Sequence, residues 1–190
     1  MTALAPTFIV GIGGSAGALD AYKDLLNFLP SDTGMAFVFA THILPTATSQ
    51  LAEILSRRTK MPVLVAYTAM PIRANHVYVS PPNTDLLIEG NTFKVVFPRT
   101  KGNVIVDYLL TSLAEAMGKR AIAVIVSGYD GDGTEGCRRI KAKGGITFAQ
   151  DKSAAVDGMP HSAQVAGCID FVMSMKEISE AVAGIASASP

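Results

Sequence analysis

Neither sign of charge is in excess: the 190 residues carry 16 Lys plus Arg against 16 Asp plus Glu, and no basic run interrupts that balance. The electrostatic footprint of a nucleic-acid binder is therefore missing. Cysteine is scarce. Cys137 and Cys168 stand far apart and lack the paired spacing of a zinc site or the density of a disulfide scaffold, so both are expected as reduced core residues. No apolar run reaches the roughly 18 residues that a membrane span needs. The first residues also lack the basic, apolar and small-residue regions of a signal peptide, and the expected location is the cytoplasm, with no membrane insertion. Low-complexity stretches and internal repeats are absent too. Nothing divides residues 1–190, and the length suits one domain with a substantial core.

What is present is a regular alternation. Apolar runs of strand length at 8–12, 36–40 and 121–126 alternate with longer stretches of helical period, the pattern of a parallel sheet covered by helices. The first helix is expected over 17–28, with Leu19, Tyr22, Leu25, Leu26 and Phe28 toward the sheet before Pro30 stops it. A second, over 48–57, carries Leu51, Ile54 and Leu55 on one side. Between 61 and 97 the texture changes to short strand-like pieces at 63–65, 76–79, 85–89 and 93–97, separated by Pro, Asn and Gly. Glu89-Gly90-Asn91 reads as the tip of a hairpin. Further helices are expected over 104–117, 133–143 and 161–166 and after Lys176, with strands at 121–126, 146–149 and 169–173 between them. The fold class is α/β: a doubly wound, mainly parallel sheet flanked by helices, with an antiparallel hairpin elaboration.

In open sheets of this kind ligands collect at the carboxyl ends of strands, and three of those ends carry reactive side chains. Run 8–12 leads into Gly13-Gly14-Ser15-Ala16-Gly17, run 36–40 into Thr41-His42, and run 121–126 into Ser127-Gly128-Tyr129-Asp130-Gly131-Asp132-Gly133. The first fits Gly-x-Ser-x-Gly, in which glycines permit a sharp strand-to-helix turn that lifts a serine hydroxyl out of the sheet. Free backbone N–H groups at the start of the following helix could stabilise an oxyanion. The pentapeptide by itself is equally compatible with an ordinary turn in which Ser15 caps the helix.

A dinucleotide-binding reading competes, because Gly11-x-Gly13-x-x-Ala16 approximates the phosphate-binding fingerprint. That fold wants an acidic residue about 20 positions on, at the end of the second strand, where this chain has His42. Imidazole, with an ordinary pKa of about 6.5, suits proton transfer from a serine one strand away. A lone histidine is more often a packed or capping residue, and His76 and His161 are read that way. The third strand end supplies the carboxylate that fixes an imidazole tautomer, and both Asp130 and Asp132 qualify. Asp130-Gly131-Asp132-Gly133-Thr134 also matches the nucleophile motif of haloacid-dehalogenase-type phosphatases. Those enzymes carry it on their first strand; here it lies in the last third of the chain. A plain turn with a helix cap is the structural alternative.

Together these segments resemble the catalytic domain of the chemotaxis protein-glutamate methylesterase family, over nearly the whole chain. Five blocks agree in order: Gly11-Ile12-Gly13-Gly14-Ser15-Ala16-Gly17-Ala18, Thr41-His42-Ile43-Leu44-Pro45, His76-Val77-Tyr78-Val79-Ser80-Pro81-Pro82, residues 127–136, and Gly158-Met159-Pro160. The resemblance implies Ser15 as nucleophile, His42 as general base and acid, and Asp132 as the carboxylate orienting the histidine, since the family's aspartate immediately precedes the glycine that opens the next helix. It implies removal of methyl groups from γ-glutamyl methyl esters on the cytoplasmic helices of chemoreceptors. Many members also deamidate receptor glutamines. No cofactor or metal is expected. Phosphatase action would require magnesium, dehydrogenase action a nicotinamide, and a degenerate module that only docks receptors or signalling partners would fold without turning over ester.

Two departures from the family pattern stand out. Gly102-Asn103-Val104-Ile105-Val106-Asp107 replaces a His-Arg-Pro-Ser-type sequence, and Tyr129-Asp130 replaces a nonpolar residue followed by glycine. Two acids as close as Asp130 and Asp132 could raise one another's pKa. Family members commonly carry a receiver domain ahead of the catalytic one; only seven residues precede Phe8, so no receiver domain is expected within this chain. A receiver or methyltransferase domain supplied elsewhere is the expected regulatory partner.

Overall fold

A computed structural model describes residues 4–42 and 48–189. Seven strands form one parallel sheet in the order β3-β4-β2-β1-β7-β8-β9. They are β1 (Ile9–Gly14), β2 (Ala36–Thr41), β3 (Val63–Val65), β4 (His76–Val79), β7 (Ala121–Ile125), β8 (Ile146–Gln150) and β9 (Phe171–Met173). The remaining two, β5 (Asp85–Glu89) and β6 (Thr92–Val96), pair antiparallel. Glu89 faces Thr92 in that ladder, which puts the tip at Gly90-Asn91 as the turn residues require.

The central strands are buried along their whole length, which is why they read as continuous apolar runs. Alternate residues feed two cores. On one side, Val10, Ile12, Phe37 and Phe39 pack with Tyr22, Leu25 and Leu26 of α1 (Ala18–Phe28), Leu55 of α2 (Thr48–Ser56) and Ile178 of α6 (Met175–Ala188). On the other, Ile9, Val38 and Ile125 pack with Leu109 and Leu113 of α3 (Ile105–Met117) and Ile140 of α4 (Thr134–Ala142). The eight-residue α5 (Gly158–Val165) buries Met159 and Ala163 beside that second core. Cys137 and Cys168 are both buried and free, in the same core.

The buried stripe of α1 is Ala18, Ala21, Tyr22, Leu25 and Leu26. Leu19 and Phe28, expected toward the sheet, are 38% and 48% exposed, because they fall off the i, i+3, i+4, i+7 stripe that these five define. Element boundaries otherwise lie within a few residues of expectation; α5 starts three residues earlier than the helix expected from His161.

One close approach positions the site. A Cβ at Gly13 would collide with the Val106 side chain, and one at Gly11 would lie 2.6 Å from a methyl of Leu110. The bare strand lets α3 settle directly on β1, and the N-terminus of that helix reaches the carboxyl ends of β1 and β7.

Candidate active site

The chain leaves β1 for β2 on one side of the sheet and returns to β7 on the other, so the winding reverses between β1 and β7. That is the switch point where a crevice opens above the strand ends in doubly wound folds. Ser15 follows β1, His42 follows β2, and Asp132 lies in the turn after β7. A cleft of about 310 Å³ opens there, with Ser15, Thr41, His42 and Asp130 among its walls. Ile43, Leu44 and Pro45 of the histidine block lie outside the described residues.

Ser15 stands two residues before the cap of α1. The cap is Gly17, at φ 73, and no side chain bonds the helix end there, so Ser15 is not an N-cap. Its backbone N–H donates to the Ser127 carbonyl at 2.9 Å, and its Oγ accepts the Ala16 N–H at 2.6 Å. Ser127 is a staple that the strand-end reading left without a role. Its buried hydroxyl donates to the Ala16 carbonyl at 2.6 Å and accepts the Val156 N–H at 2.9 Å. Gln150 Oε1 accepts the Ser127 N–H at 3.1 Å. The turn that presents Ser15 is thus tied to β8 and to the segment before α5.

His42 Nε2 lies 2.7 Å from Asp132 Oδ2. A carboxylate accepts here from Nε2–H, and in the neutral imidazole that arrangement leaves the lone pair on Nδ1. Asp132 is fully buried and His42 is 12% exposed. The carboxylate is held from behind by two backbone donors at the start of α3: Val106 N–H to Oδ2 at 3.0 Å and Asp107 N–H to Oδ1 at 2.9 Å. The helix cap given as the structural alternative for this run is thus present, at the start of α3. Within the described residues Ser15 and His42 share the cleft without a hydrogen bond joining them, a separation common in sites that tighten only around substrate.

Asp130 lines the same cleft but bonds neither the His42 side chain nor the Asp132 carboxylate. Its Oδ1 accepts the Asp132 N–H at 3.0 Å, and its Oδ2 accepts Asn103 Nδ2 at 2.7 Å. The two departures from the family pattern are therefore bonded to each other. Asp107 is a further carboxyl near the site. Its Oδ1 accepts the Gly136 N–H at 2.8 Å. Burial, opposed by that N–H and reinforced by the Asp132 charge, pushes its pKa from 3.8 up to about 6. His76 bonds the Ala74 carbonyl through Nδ1 at 2.8 Å and stacks on Tyr78. His161 is exposed on α5, in a separate depression beside Arg138. His76 has the packed, hydrogen-bonded setting expected of it, whereas His161, expected to be packed or to cap a helix, is neither: it stands exposed on α5. Among the described residues no helix is long and apolar enough to cross a membrane, and no three His, Cys, Asp or Glu side chains are grouped as metal ligands.

Fold and cleft together define a doubly wound α/β protein with Ser15, His42 and Asp132 gathered at its strand ends. The chain belongs to the CheB methylesterase family, whose sequence profile matches residues 10–182. A relative from Leptospira interrogans, named provisionally for protein-glutamate methylesterase and protein-glutamine glutaminase activity, is 34% identical over 177 residues, covering 89% of this chain and 90% of that one. A Hahella chejuensis protein-glutamate methylesterase/protein-glutamine glutaminase is 34% identical over 181 residues; the match takes in 92% of this chain and 50% of the relative, so the chain spans half its length. Among solved structures, the Thermotoga maritima CheB methylesterase catalytic domain superposes with a TM-score of 0.87 at 28% identity, over 94% of this chain and 98% of that one.

Proposed function

We propose that this chain hydrolyses γ-glutamyl methyl esters on the cytoplasmic helices of chemoreceptors, with Ser15 as nucleophile, His42 as general base and acid, and Asp132 as the carboxylate that orients His42. The observation that carries the reading is the 2.7 Å contact between His42 Nε2 and the buried Asp132, which leaves Nδ1 as the basic nitrogen in the cleft that also holds Ser15. In this scheme Nδ1 takes the hydroxyl proton as Ser15 Oγ attacks the γ-carbonyl. The tetrahedral oxyanion is met by backbone N–H groups at the start of α1, near Ala16 and Gly17. As the intermediate collapses and the ester C–O bond breaks, His42 gives the proton to the departing methoxide to form methanol, and water deprotonated by the same nitrogen then attacks the acyl-enzyme, releasing the glutamate carboxylate and restoring the Ser15 hydroxyl.

The same attack on a γ-carboxamide expels ammonia, and both activities stand in the names of the Leptospira and Hahella relatives. The phosphatase reading loses support because Asp130, its required nucleophile, has both oxygens engaged by neutral donors while Asp132 is bonded to His42.

The test is methanol release from methylated chemoreceptor fragments by the intact protein and by Ser15→Ala, in EDTA, with circular dichroism on both. Metal-independent release lost on substitution supports the serine esterase. Activity unchanged in Ser15→Ala removes the nucleophile assignment, and silence from a folded intact protein favours a binding module.

A further inference from the structure

Both ends of the 99–103 segment border the cleft, Arg99 at one and Asn103, paired with Asp130, at the other. At its start, Arg99 N–H donates to the Asn83 carbonyl at 2.9 Å, in the loop that follows β4, and Asp85 Oδ2 holds the adjacent Thr100 through N–H and hydroxyl at 2.8 and 2.7 Å. At its far end, Asn103 Nδ2 reaches Asp130 after β7 at 2.7 Å. Between β4 and β7 in the sheet lie β2 and β1, which deliver His42 and Ser15. Neighbouring strands are about 4.8 Å apart, so β4 and β7 are separated by about 14 Å, with the proposed nucleophile and base between them.

The two ends of this span carry opposite charges. Arg99 is the one Lys or Arg among the described residues lining the cleft, and it forms no salt bridge with a described carboxylate. Asp130 is occupied only by neutral donors, an amide and a backbone N–H. Neither charge is spent on the other's wall, and both border the cleft.

We propose that Arg99 and Asp130 form a two-signed rim that selects the ester-bearing segment by its flanking charges, taking an acidic side chain on the Arg99 side and a basic or amide side chain on the Asp130 side, with Asn103 holding Asp130 in place. The proposal rests on the esterase reading above and adds to it which flanks the site accepts. On a helical substrate, residues four positions before and four after the ester share its face. At about 1.5 Å per residue they lie about 12 Å apart, within the span of the rim once the Arg99 side chain reaches inward.

The experiment uses helical peptides with a central glutamyl methyl ester and Glu/Lys at the −4 and +4 positions, in both orders, beside Gln/Gln and Glu/Glu controls. At low salt one order of Glu and Lys is expected to exceed the other by roughly threefold to fivefold per end in kcat/KM, the range of half-exposed charge pairs, carried mainly by KM. Arg99→Gln removes the preference for the acidic flank, and Asp130→Asn, which keeps an oxygen for the Asp132 N–H, removes that for the basic flank. Equal kcat/KM for both orders in the intact protein overturns the rim, as does an order preference that survives both substitutions. Melting curves accompany each variant; should Asp130→Asn unfold, Arg99→Gln decides the acidic end alone. If no peptide yields methanol, the esterase reading fails separately, and fluorescence anisotropy with the same labelled peptides decides the rim. Order-dependent binding lost in the variants supports it; binding indifferent to order, or none, overturns it.

Discussion

Asp132 and Asp107 cap each other's helices. Asp132, in the turn before α4, accepts the N–H of Asp107 in the first turn of α3, while the Asp107 carboxyl accepts the N–H of Gly136 in the first turn of α4. The acid that faces His42 is thus also a structural tie, and its two roles separate experimentally.

Asp132→Ala is expected to lose both. Methanol release should fall on the order of 10⁴-fold, and the first-turn N–H groups of α3 lose their acceptor, a destabilisation of about 1–2 kcal/mol. Ser15→Ala should abolish release with stability changed by no more than about 0.5 kcal/mol, since its described hydroxyl contact is with the adjacent Ala16. Urea unfolding beside the methanol assay checks the split; equal stability of the two variants would contradict the capping role.

The raised pKa of Asp107 has a pH signature. In the unfolded chain its carboxyl ionises near 3.8, in the folded one at about 6. Between those values the folded protein binds more protons than the unfolded, so this group makes stability fall as pH rises from about 4 to about 6, with no contribution below that window. Asp107→Asn keeps an oxygen for Gly136 and removes the titration. The difference in Tm between variant and intact protein should therefore move in the variant's favour across this range, and parallel pH–Tm curves would refute it.

Ser127→Ala leaves the Ala16 carbonyl and the Val156 N–H without the hydroxyl that joins them. A cost of about 1–3 kcal/mol is expected for the unmet buried groups. Because Ala16 adjoins the proposed nucleophile, kcat should fall more than KM rises, as steady-state kinetics on an esterified peptide will show.

At Gly158 an added Cβ would strike the Tyr129 carbonyl and come within 2.8 Å of the Gly128 carbonyl. Backbone cannot step aside as a flexible side chain can, so Gly158→Ala should shift the 128–130 turn, lowering Tm at a cost of about 1–3 kcal/mol and reducing esterase activity. Gly184, in α6, has open space around the same position. Gly184→Ala should raise stability by about 0.4–1 kcal/mol without touching activity, and thermal melts of the two together test the contrast.

The parallel architecture and the three strand ends were legible because their signals are local: a buried strand reads as an apolar run, a helix as a period, and the side chain after each run sits at the crevice. Ser15, His42 and Asp132 could be named on those grounds and by resemblance. Local pattern failed where several arrangements share one signal. Leu19 and Phe28 are apolar members of an amphipathic helix, and only the packing of Tyr22, Leu25 and Leu26 against β1 and β2 decides that they face outward.

By itself, then, the sequence determined which elements form and which reactive residues end the central strands, since both follow from the nearest few neighbours along the chain. Only the tertiary structure decided what those residues touch. The His42–Asp132 contact spans 90 positions, Asn103–Asp130 spans 27 and Ser127–Ala16 spans 111. No periodicity encodes such distances. Two arise because β2, β1 and β7 lie side by side in the sheet, and the third because α3 settles on the glycines of β1 and brings Asn103, just ahead of it, to the end of β7, where two departures from a family pattern become one hydrogen bond.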